Sequence, residues 1–356
     1  MITIGGAAHK QVHAAVALDD AGQTLSHWRG PNTRAGWTAL HAWAVGVGAP
    51  RQWGIEGAWN YGRGLAQHLV DADEMVYEVN PRWTAEGRRS ARRPGKSDTL
   101  DAQAVARLVL REAATLPRVG ADDETAVLEL LVTERDGAVA EATRLRNQLH
   151  QLLLQSDPEY QAHLPAIRTP AGVAALEHYT VPSPRPLDQQ RAAAVRRLAQ
   201  RLQLAMDQAE ALAAQIRQRA QAHCSLLAGL CGVSLLTAGA LAGILGPGHR
   251  FQTDAQLAAY AGVAPLEASS AGRVRHRLNR GGNRRLNAIL HRIAIAQARS
   301  SPAARTYLAR RASEGKTRRE AMRALKRFLV RALWRLWQEC VSDSPAQAAN
   351  SITTAA

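Results

Sequence analysis

The sequence has few cysteines and no long apolar run, which excludes several classes of protein. Its three cysteines, Cys224, Cys231 and Cys340, show no C-x-x-C spacing, so neither a disulfide scaffold nor a zinc site is expected, and a reducing cytoplasm is the default location. No apolar run approaches ~18 residues, which excludes a membrane-spanning helix, and the N-terminus lacks the order of a signal peptide. No G-x-x-x-x-G-K-[ST] motif occurs, which argues against an ATP-driven machine.

Acidic residues are outnumbered, and the excess positive charge is carried almost entirely by arginine. The 356 residues include 45 lysines and arginines against 30 acids, a net charge of +15, and only four of the cations are lysines. The planar guanidinium group of arginine can donate two hydrogen bonds to one phosphate, which suits a nucleic-acid-binding protein. No acid occurs from Ala268 to Ser313, where we expect phosphate contacts from Arg273, Arg275, Arg277, Arg280, Arg284 and Arg285.

The first 117 residues alternate between strand-like and helix-like runs. Short strands are predicted at 2–6, 12–18, 24–29, 53–57 and 76–79, helices at 33–46 and near 62–71, and a further helix from a cap at Ser97 and Asp98. Three meandering strands followed by β/α alternation is the order of a ribonuclease-H-like α/β domain, in which helices flank a mixed sheet.

The remaining chain is predicted to be helical. Apolar residues recur at three- and four-residue steps along 121–155 and 187–223, which predicts two long amphipathic helices, packed as a hairpin or used as a dimerising arm and joined by a proline-rich linker. The predicted organisation is an α/β domain at 1–117, a helical coiled-coil or oligomerisation region at 118–223, an arginine-rich helical domain at 224–340 and a tail at 341–356.

Carboxylates are the best candidates for chemistry, since no His/Cys cluster or Ser-His-Asp spacing stands out. Glu56 lies at the end of a predicted strand, and Asp98 and Asp101 lie three residues apart on the first turn of a helix, so both are on one face. In a ribonuclease-H-like sheet such acids converge and bind divalent cations, and oxygen ligands favour Mg²⁺. Each acid taken alone has a simpler explanation, a helix cap for Asp98 and an exposed acid for Glu56.

Several segments in order along the chain resemble one family. Ile-Gly-Gly-Ala-Ala-His-Lys at 4–10, Gly-Ile-Glu-Gly-Ala-Trp-Asn-Tyr-Gly at 54–62 and Lys-Ser-Asp-Thr-Leu-Asp-Ala at 96–102 look like the three segments of the DEDD insertion-sequence transposases. These are relatives of the pilin-gene invertase and are known as bridge-RNA-guided recombinases. Residues 229–245 resemble the family's helix-hairpin-helix segment, although Ser234 replaces a usual glycine. Residues 261–265, 268–273 and 279–284 resemble its serine-bearing segment.

The resemblance implies a fold, a chemistry and a set of partners. It implies a RuvC-like N-terminal domain and a C-terminal helical transposase domain with a helix-hairpin-helix-like start, which form a composite site within a tetramer. The implied nucleophile is Ser270, with Ser269 as the close alternative, and it attacks a DNA phosphate to form a phosphoserine link without ATP. A structured guide RNA is implied to pair with donor and target DNA in the bacterial cytoplasm.

One residue departs from the family pattern. The first acid of the family falls at position 7, where this chain has Ala7, whose side chain cannot bind a metal ion. Only Glu56, Asp98 and Asp101 of the four acids are present, which implies an impaired enzyme. The chain is either a natural inactive copy or one whose carboxylate was deliberately removed, and the intact remainder favours the second.

Two other functions fit the same residues. A junction-resolving metal nuclease would use the carboxylates with water as the nucleophile and would need no serine. A non-catalytic nucleic-acid-binding protein would explain the charge and Ala7, but not the three retained acids.

Overall fold

The computed structural model describes residues 1–81, 84, 97–267, 276–277, 279 and 281–342. These residues form two compact units. The first unit combines Met1–Thr125 with Gly229–Gly232 and the chain from Ile244 onward, and the second contains Ala126–Ala228 and Val233–Gly243. The N-terminal α/β region and the arginine-rich C-terminal region therefore belong to one unit.

Five strands form a mixed sheet in the first unit. An antiparallel meander of β1 (Ile2–Ala8), β2 (Val12–Leu18) and β3 (Thr24–Pro31) is extended beyond β1 by two parallel strands, β4 (Arg51–Glu56) and β5 (Val76–Val79). The order is β3-β2-β1-β4-β5. The central strands β1 and β2 are buried along most of their length, whereas β3 is largely exposed, as expected at a sheet edge. All five predicted strands are present in the predicted order.

Helices cover both faces of this sheet. On one face α1 (Arg34–Val47) and α2 (Arg63–Val70) bury an apolar core that includes the fully buried Trp53. On the other face lies α3 (Asp98–Glu112), followed by a 3₁₀ turn at Ala113–Thr115. The predicted cap is confirmed, since the Ser97 hydroxyl accepts the Leu100 N–H at 3.2 Å.

The second unit is built on two long helices, α4 (Glu124–Ser156) and α7 (Pro186–His223). Buried side chains of both helices, from Ala142 to Leu153 on α4 and from Ala192 to Ala205 on α7, form one cluster. The predicted linker between them is folded, because it contains α5 (Tyr160–His163) and α6 (Pro170–Glu177) and contributes buried side chains to the same cluster. Prolines suggested a linker, but Pro170 and Pro186 occupy first helical turns, where no backbone N–H is needed.

The described residues of the C-terminal part of the chain are mostly helical and include one pair of short strands. After α8 (Ser225–Ala228) and α9 (Leu235–Leu245) come a 3₁₀ turn at Gly248–Arg250, α10 (Asp254–Tyr260), and the paired strands β6 (Leu266–Glu267) and β7 (His276–Arg277). The last helices are α11 (Arg284–Ser300), α12 (Pro302–Ser313) and α13 (Arg318–Ser342), and α13 packs against α10, α11 and α12.

Among the helices that the structure describes, none combines the length and the apolar character needed to cross a bilayer.

Candidate active site and nucleic-acid interface

The carboxyl ends of β1 and β4 meet at one edge of the sheet. The two strands run parallel with Gly6 opposite Ile55, so position 7 and Glu56 follow on neighbouring strands. Glu56 is half-buried, and its Oε1 accepts a hydrogen bond from the Thr84 hydroxyl at 2.5 Å. The structure therefore brings Glu56 beside Ala7, as the strand order predicts.

Asp98 begins α3 and is tied to the end of β1. Because Ser97 caps the helix, the Asp98 carboxylate is free to pair with His9 (Nε2 to Oδ1, 3.1 Å) and Arg29 (Nη2 to Oδ2, 3.6 Å). His9 directly follows β1, so this pair brings the start of α3 to the strand end. Asp101, one turn along the helix, is buried with only 3% of its surface exposed.

Small residues allow α3 to lie directly against β1. A Cβ at Gly5 would lie 2.2 Å from the Ala102 carbonyl oxygen and 2.3 Å from the Ala106 nitrogen, so only glycine fits there. Ala7 has no exposed surface and packs with Val16 and the same two helix alanines. Position 7 in this chain is an apolar contact between strand and helix.

The arrangement of the described acids does not fit the predicted Mg²⁺ site. Within the described residues, no group of three or more His, Cys, Asp or Glu side chains is close enough to hold a metal ion. Glu56 is hydrogen-bonded to Thr84, Asp98 faces two basic side chains, and Ala7 supplies no oxygen. We therefore assign no step of a reaction to a metal ion in this chain.

Ser269 and Ser270 fall within 268–275, which lies outside the described residues, but both flanks of this segment are described. β6 and β7 pair antiparallel with Glu267 opposite His276, so the chain leaves and rejoins the described structure at one place. The ends of the serine-bearing segment are therefore held together by backbone hydrogen bonds.

Two glycines near this hairpin touch through their backbones. Gly262 has a positive φ of 66°, and a Cβ at Gly282 would lie 2.1 Å from the Gly262 nitrogen. No other residue type fits such a contact. Gly262 and Gly282, which lie on either side of the serines in sequence, are therefore neighbours in space.

Three of the six predicted phosphate-binding arginines are described. Arg277 is exposed on β7, Arg284 is exposed at the first position of α11, and Arg285 beside it is half-buried. The positive end of the helix adds to the charge of Arg284, which favours an anion at this point. The others, Arg273, Arg275 and Arg280, lie outside the described residues.

A buried arginine outside the predicted site residues connects the sheet to the C-terminal region. Arg250 is 3% exposed, and its Nη2 donates to Glu78 Oε2 at 2.7 Å and to the Tyr260 hydroxyl at 3.1 Å. Its Nη1 donates to the Ile244 carbonyl at 2.6 Å. The guanidinium also lies 4.7 Å from the ring centre of Trp59.

This network links the strand beside Glu56 to the turn that follows the serine-bearing segment. Glu78 lies on β5, next to Val79, which pairs with Glu56, and the Tyr260 hydroxyl also accepts from Asn283, the cap of α11, at 3.0 Å. Burial raises the pKa of the Tyr260 phenol, so the hydroxyl stays neutral and Glu78 balances the charge of Arg250. The partners are far apart in sequence, and no local pattern signals their meeting.

Comparisons with known proteins identify the family. One family model, described as a transposase, matches residues 5–158, and a second, described as the transposase IS116/IS110/IS902 family, matches residues 224–309. A Streptomyces coelicolor protein (strain ATCC BAA-471 / A3(2) / M145), named insertion element IS110 uncharacterized 43.6 kDa protein, is 31% identical over 287 residues, 68% of this chain and 71% of that relative.

A mixed α/β region in one unit with an arginine-rich helical region, matched in order by two transposase models, defines a DNA transposase. The chain belongs to the IS110 family of insertion-sequence transposases. DNA is therefore its class of substrate, and DNA cutting and rejoining is the class of its reaction.

Proposed function

We propose that this chain is an RNA-guided recombinase of an insertion sequence and acts through a serine–phosphate intermediate. Family membership supports recombination of DNA. The observation that supports the serine proposal is the antiparallel pairing of β6 with β7, the described strands on either side of 268–275, together with the exposed Arg277 on β7. The guide RNA, a bridge RNA that pairs with donor and target DNA, rests on the sequence resemblance.

In the proposed reaction the hydroxyl oxygen of Ser270, or of Ser269, attacks the phosphorus of a DNA phosphodiester. A serine–phosphate bond forms, the bond from phosphorus to the 3′ oxygen breaks, and that oxygen leaves as a 3′-hydroxyl after taking up a proton. Attack by a second 3′-hydroxyl on the phosphoserine reverses these changes and joins a new pair of strands. The number of phosphoester bonds is conserved, so no ATP is needed. Arg277 and Arg284 are exposed, and in this proposal they supply positive charge to the attacked phosphate.

A trapped protein–DNA adduct tests the nucleophile. The chain carrying Ala7→Asp, with Mg²⁺, co-purified RNA and a nicked DNA substrate, is expected to form a denaturant-resistant adduct on the peptide that contains Ser269 and Ser270. Ser270→Ala should abolish the adduct, and Ser269→Ala is its matched control. Loss in Ser269→Ala alone moves the nucleophile by one residue. Cleavage without any adduct identifies a water-using junction nuclease instead.

We propose that the chain is impaired in catalysis because position 7 lacks an acid. The Ala7 side chain packs against α3, the helix that carries Asp98 and Asp101, so a carboxylate there adds an oxygen ligand beside them. Ala7→Asp is expected to gain a Mg²⁺-dependent rise in melting temperature and to recombine plasmids faster than the parent chain. Ala7→Asn has the same size without the charge and should gain much less. Full-rate recombination by the parent chain contradicts the proposal.

The wider architecture is also proposed. We propose a RuvC-like domain at 1–117, a coiled-coil oligomerisation region at 118–223, a transposase domain at 224–340 and assembly as a tetramer on RNA and DNA. The mixed sheet with helices on both faces supports the first of these. Sequencing of RNA that co-purifies with the chain, and light scattering of the purified complex, test the guide and the tetramer.

A further inference from the structure

The C-terminal region contains a groove of about 780 Å³ between α12, α13 and the loop Gly262–Pro265. Arg277 and Asn279 also line it, and they follow the serine-bearing segment in sequence, whereas the loop precedes it. The groove therefore lies beside the described residues on either side of that segment. Most of its charged side chains are on α12 and α13 and are not among the arginines predicted to bind phosphate.

The groove is strongly basic. Seven cationic side chains line it, and among the described residues Glu320 is the one acid that does so. Four of the cations are on α13 at spacings of three, one and four residues, which places them on a common face, and these are Arg323, Lys326, Arg327 and Arg331. The Glu320 carboxylate also accepts the Thr317 hydroxyl at 2.7 Å and so helps to cap the helix.

Some of these cations are balanced within the protein and some are not. Arg327 and Arg331 share Asp254, at 2.7 and 3.2 Å. By contrast, Arg277, Lys316 and Arg323 are exposed and form no salt bridge with a described residue, although Lys316 and Arg323 both interact electrostatically with Glu320, which is one acid for two cations. Unbalanced cations facing one groove repel one another, and a polyanion relieves that repulsion.

A buried lysine, whose hydrogen-bond partner is an uncharged amide, also favours an anion in the groove. Lys326 lines the groove with only 9% of its surface exposed, and its Nζ donates to the Asn287 side-chain oxygen at 2.8 Å. Burial, followed by the nearby charge of Arg323, lowers the pKa of this lysine. The amide accepts one of the three ammonium hydrogens and carries no charge, so it does not neutralise the group.

An aromatic pair lies among the cations. Phe328 is 48% exposed, and its ring centre lies 5.1 Å from that of Tyr307 in an edge-to-face contact. The guanidinium of Arg331 is 5.8 Å from the Phe328 ring centre, and that of Arg311 is 5.4 Å from the Tyr307 ring centre. An exposed aromatic ring such as Phe328 within a basic groove is typical of surfaces on which unpaired bases stack.

From these observations we infer that the groove binds an unpaired strand of nucleic acid, with phosphates on Lys316, Arg323 and Arg277 and a base stacked on Phe328. A duplex offers no free base face, so the aromatic pair favours a single strand. The inference rests on the proposed function only in taking nucleic acid as the partner.

The test measures binding by the full-length chain with fluorescent 20-nucleotide probes. The probes are single-stranded DNA, RNA of the same sequence, the DNA duplex, and a single strand of abasic sites. Lys316→Ala combined with Arg323→Ala should lower the slope of log affinity against log salt by about 0.7 per lost phosphate contact, about 1.4 in all. Arg318→Ala combined with Arg335→Ala is the matched control, since both are exposed on α13 outside the groove lining.

A second variant isolates the stacked base. Phe328→Leu keeps an apolar side chain but removes the ring, so single-stranded DNA or RNA is expected to bind about tenfold more weakly. Binding of the abasic strand and of the duplex should change less than about twofold. A larger loss for RNA than for DNA identifies the guide as the occupant, and the reverse identifies a DNA strand.

Two results would overturn the inference. If the groove pair loses no more affinity or salt dependence than the control pair, the groove is a solvated face. If Phe328→Leu weakens duplex and abasic probes as much as the base-carrying strands, no base stacks there. Absence of nucleic-acid binding by the parent chain would instead contradict the proposed function, which separates the two failures.

Discussion

The acidic edge of the sheet is closely packed with small side chains, whereas the basic groove is lined by long charged ones. At the sheet edge, glycine and alanine close the space between β1 and α3, and the acid expected at position 7 is replaced by a buried methyl group. In the groove, exposed cations exceed the acids that balance them. The difference predicts that recognition and chemistry can be separated in this chain, because position 7 lies on β1 whereas most cations of the groove lie on α13.

The largest effect is expected where the two regions are joined. Arg250→Ala leaves the half-buried Glu78 beside Trp59 without a balancing charge, so the free energy of unfolding should fall by about 3 kcal/mol. Urea denaturation followed by circular dichroism measures it. Arg299→Ala, on an exposed position of α11, should change stability by less than about 0.5 kcal/mol. Equal values for the two variants would show that the network does not hold the regions together.

A smaller effect is expected from filling the close contact at the sheet edge. Gly5→Ala puts a methyl group into the backbone of α3, so the unfolding free energy should fall by about 1–3 kcal/mol as the helix shifts. Gly46→Ala is the matched control, because a Cβ there meets nothing within 4 Å and alanine favours the helix. The control should be neutral or more stable in thermal melts. A neutral Gly5→Ala would mean that α3 is free to move from β1.

The smallest effect is a loss of stability at low pH, which follows from the burial of His13 in this sheet. His13, on β2 opposite Ala8, is fully buried, and burial lowers the pKa of its imidazole below the usual 6.5. Below that pH the unfolded chain takes up a proton that the folded chain does not. Stability should therefore be fully present above about pH 6.5 and fall by at most about 1.4 kcal/mol per pH unit as the solution is acidified.

Urea denaturation at several pH values from 7.5 downward measures this loss. His13→Leu should remove that part of the pH dependence, whereas His27→Leu, at an exposed position of β3, should leave it in place. The same slope in both variants would assign the pH dependence to other groups.

Local patterns predicted the elements of the first unit well. Short strand-like runs bounded by turns predicted all five strands, and the Ser97 cap predicted the start of α3. Such signals are local, since a strand or a cap depends on residues within one or two turns of chain. The folded linker of the second unit was missed because proline at a first helical turn has the same sequence appearance as proline in a loop.

The sequence by itself determined the family, the order of strands and helices, the excess of arginine and the absence of an acid at position 7. Only the tertiary structure decided that Ala7 is packed against α3, that Arg250 joins Glu78 to Tyr260, and that the cations of α13 face one groove with Phe328. The physical reason is the distance along the chain over which each effect acts. Propensity and composition act along the chain, whereas burial, charge pairing and groove formation depend on residues that only folding brings together.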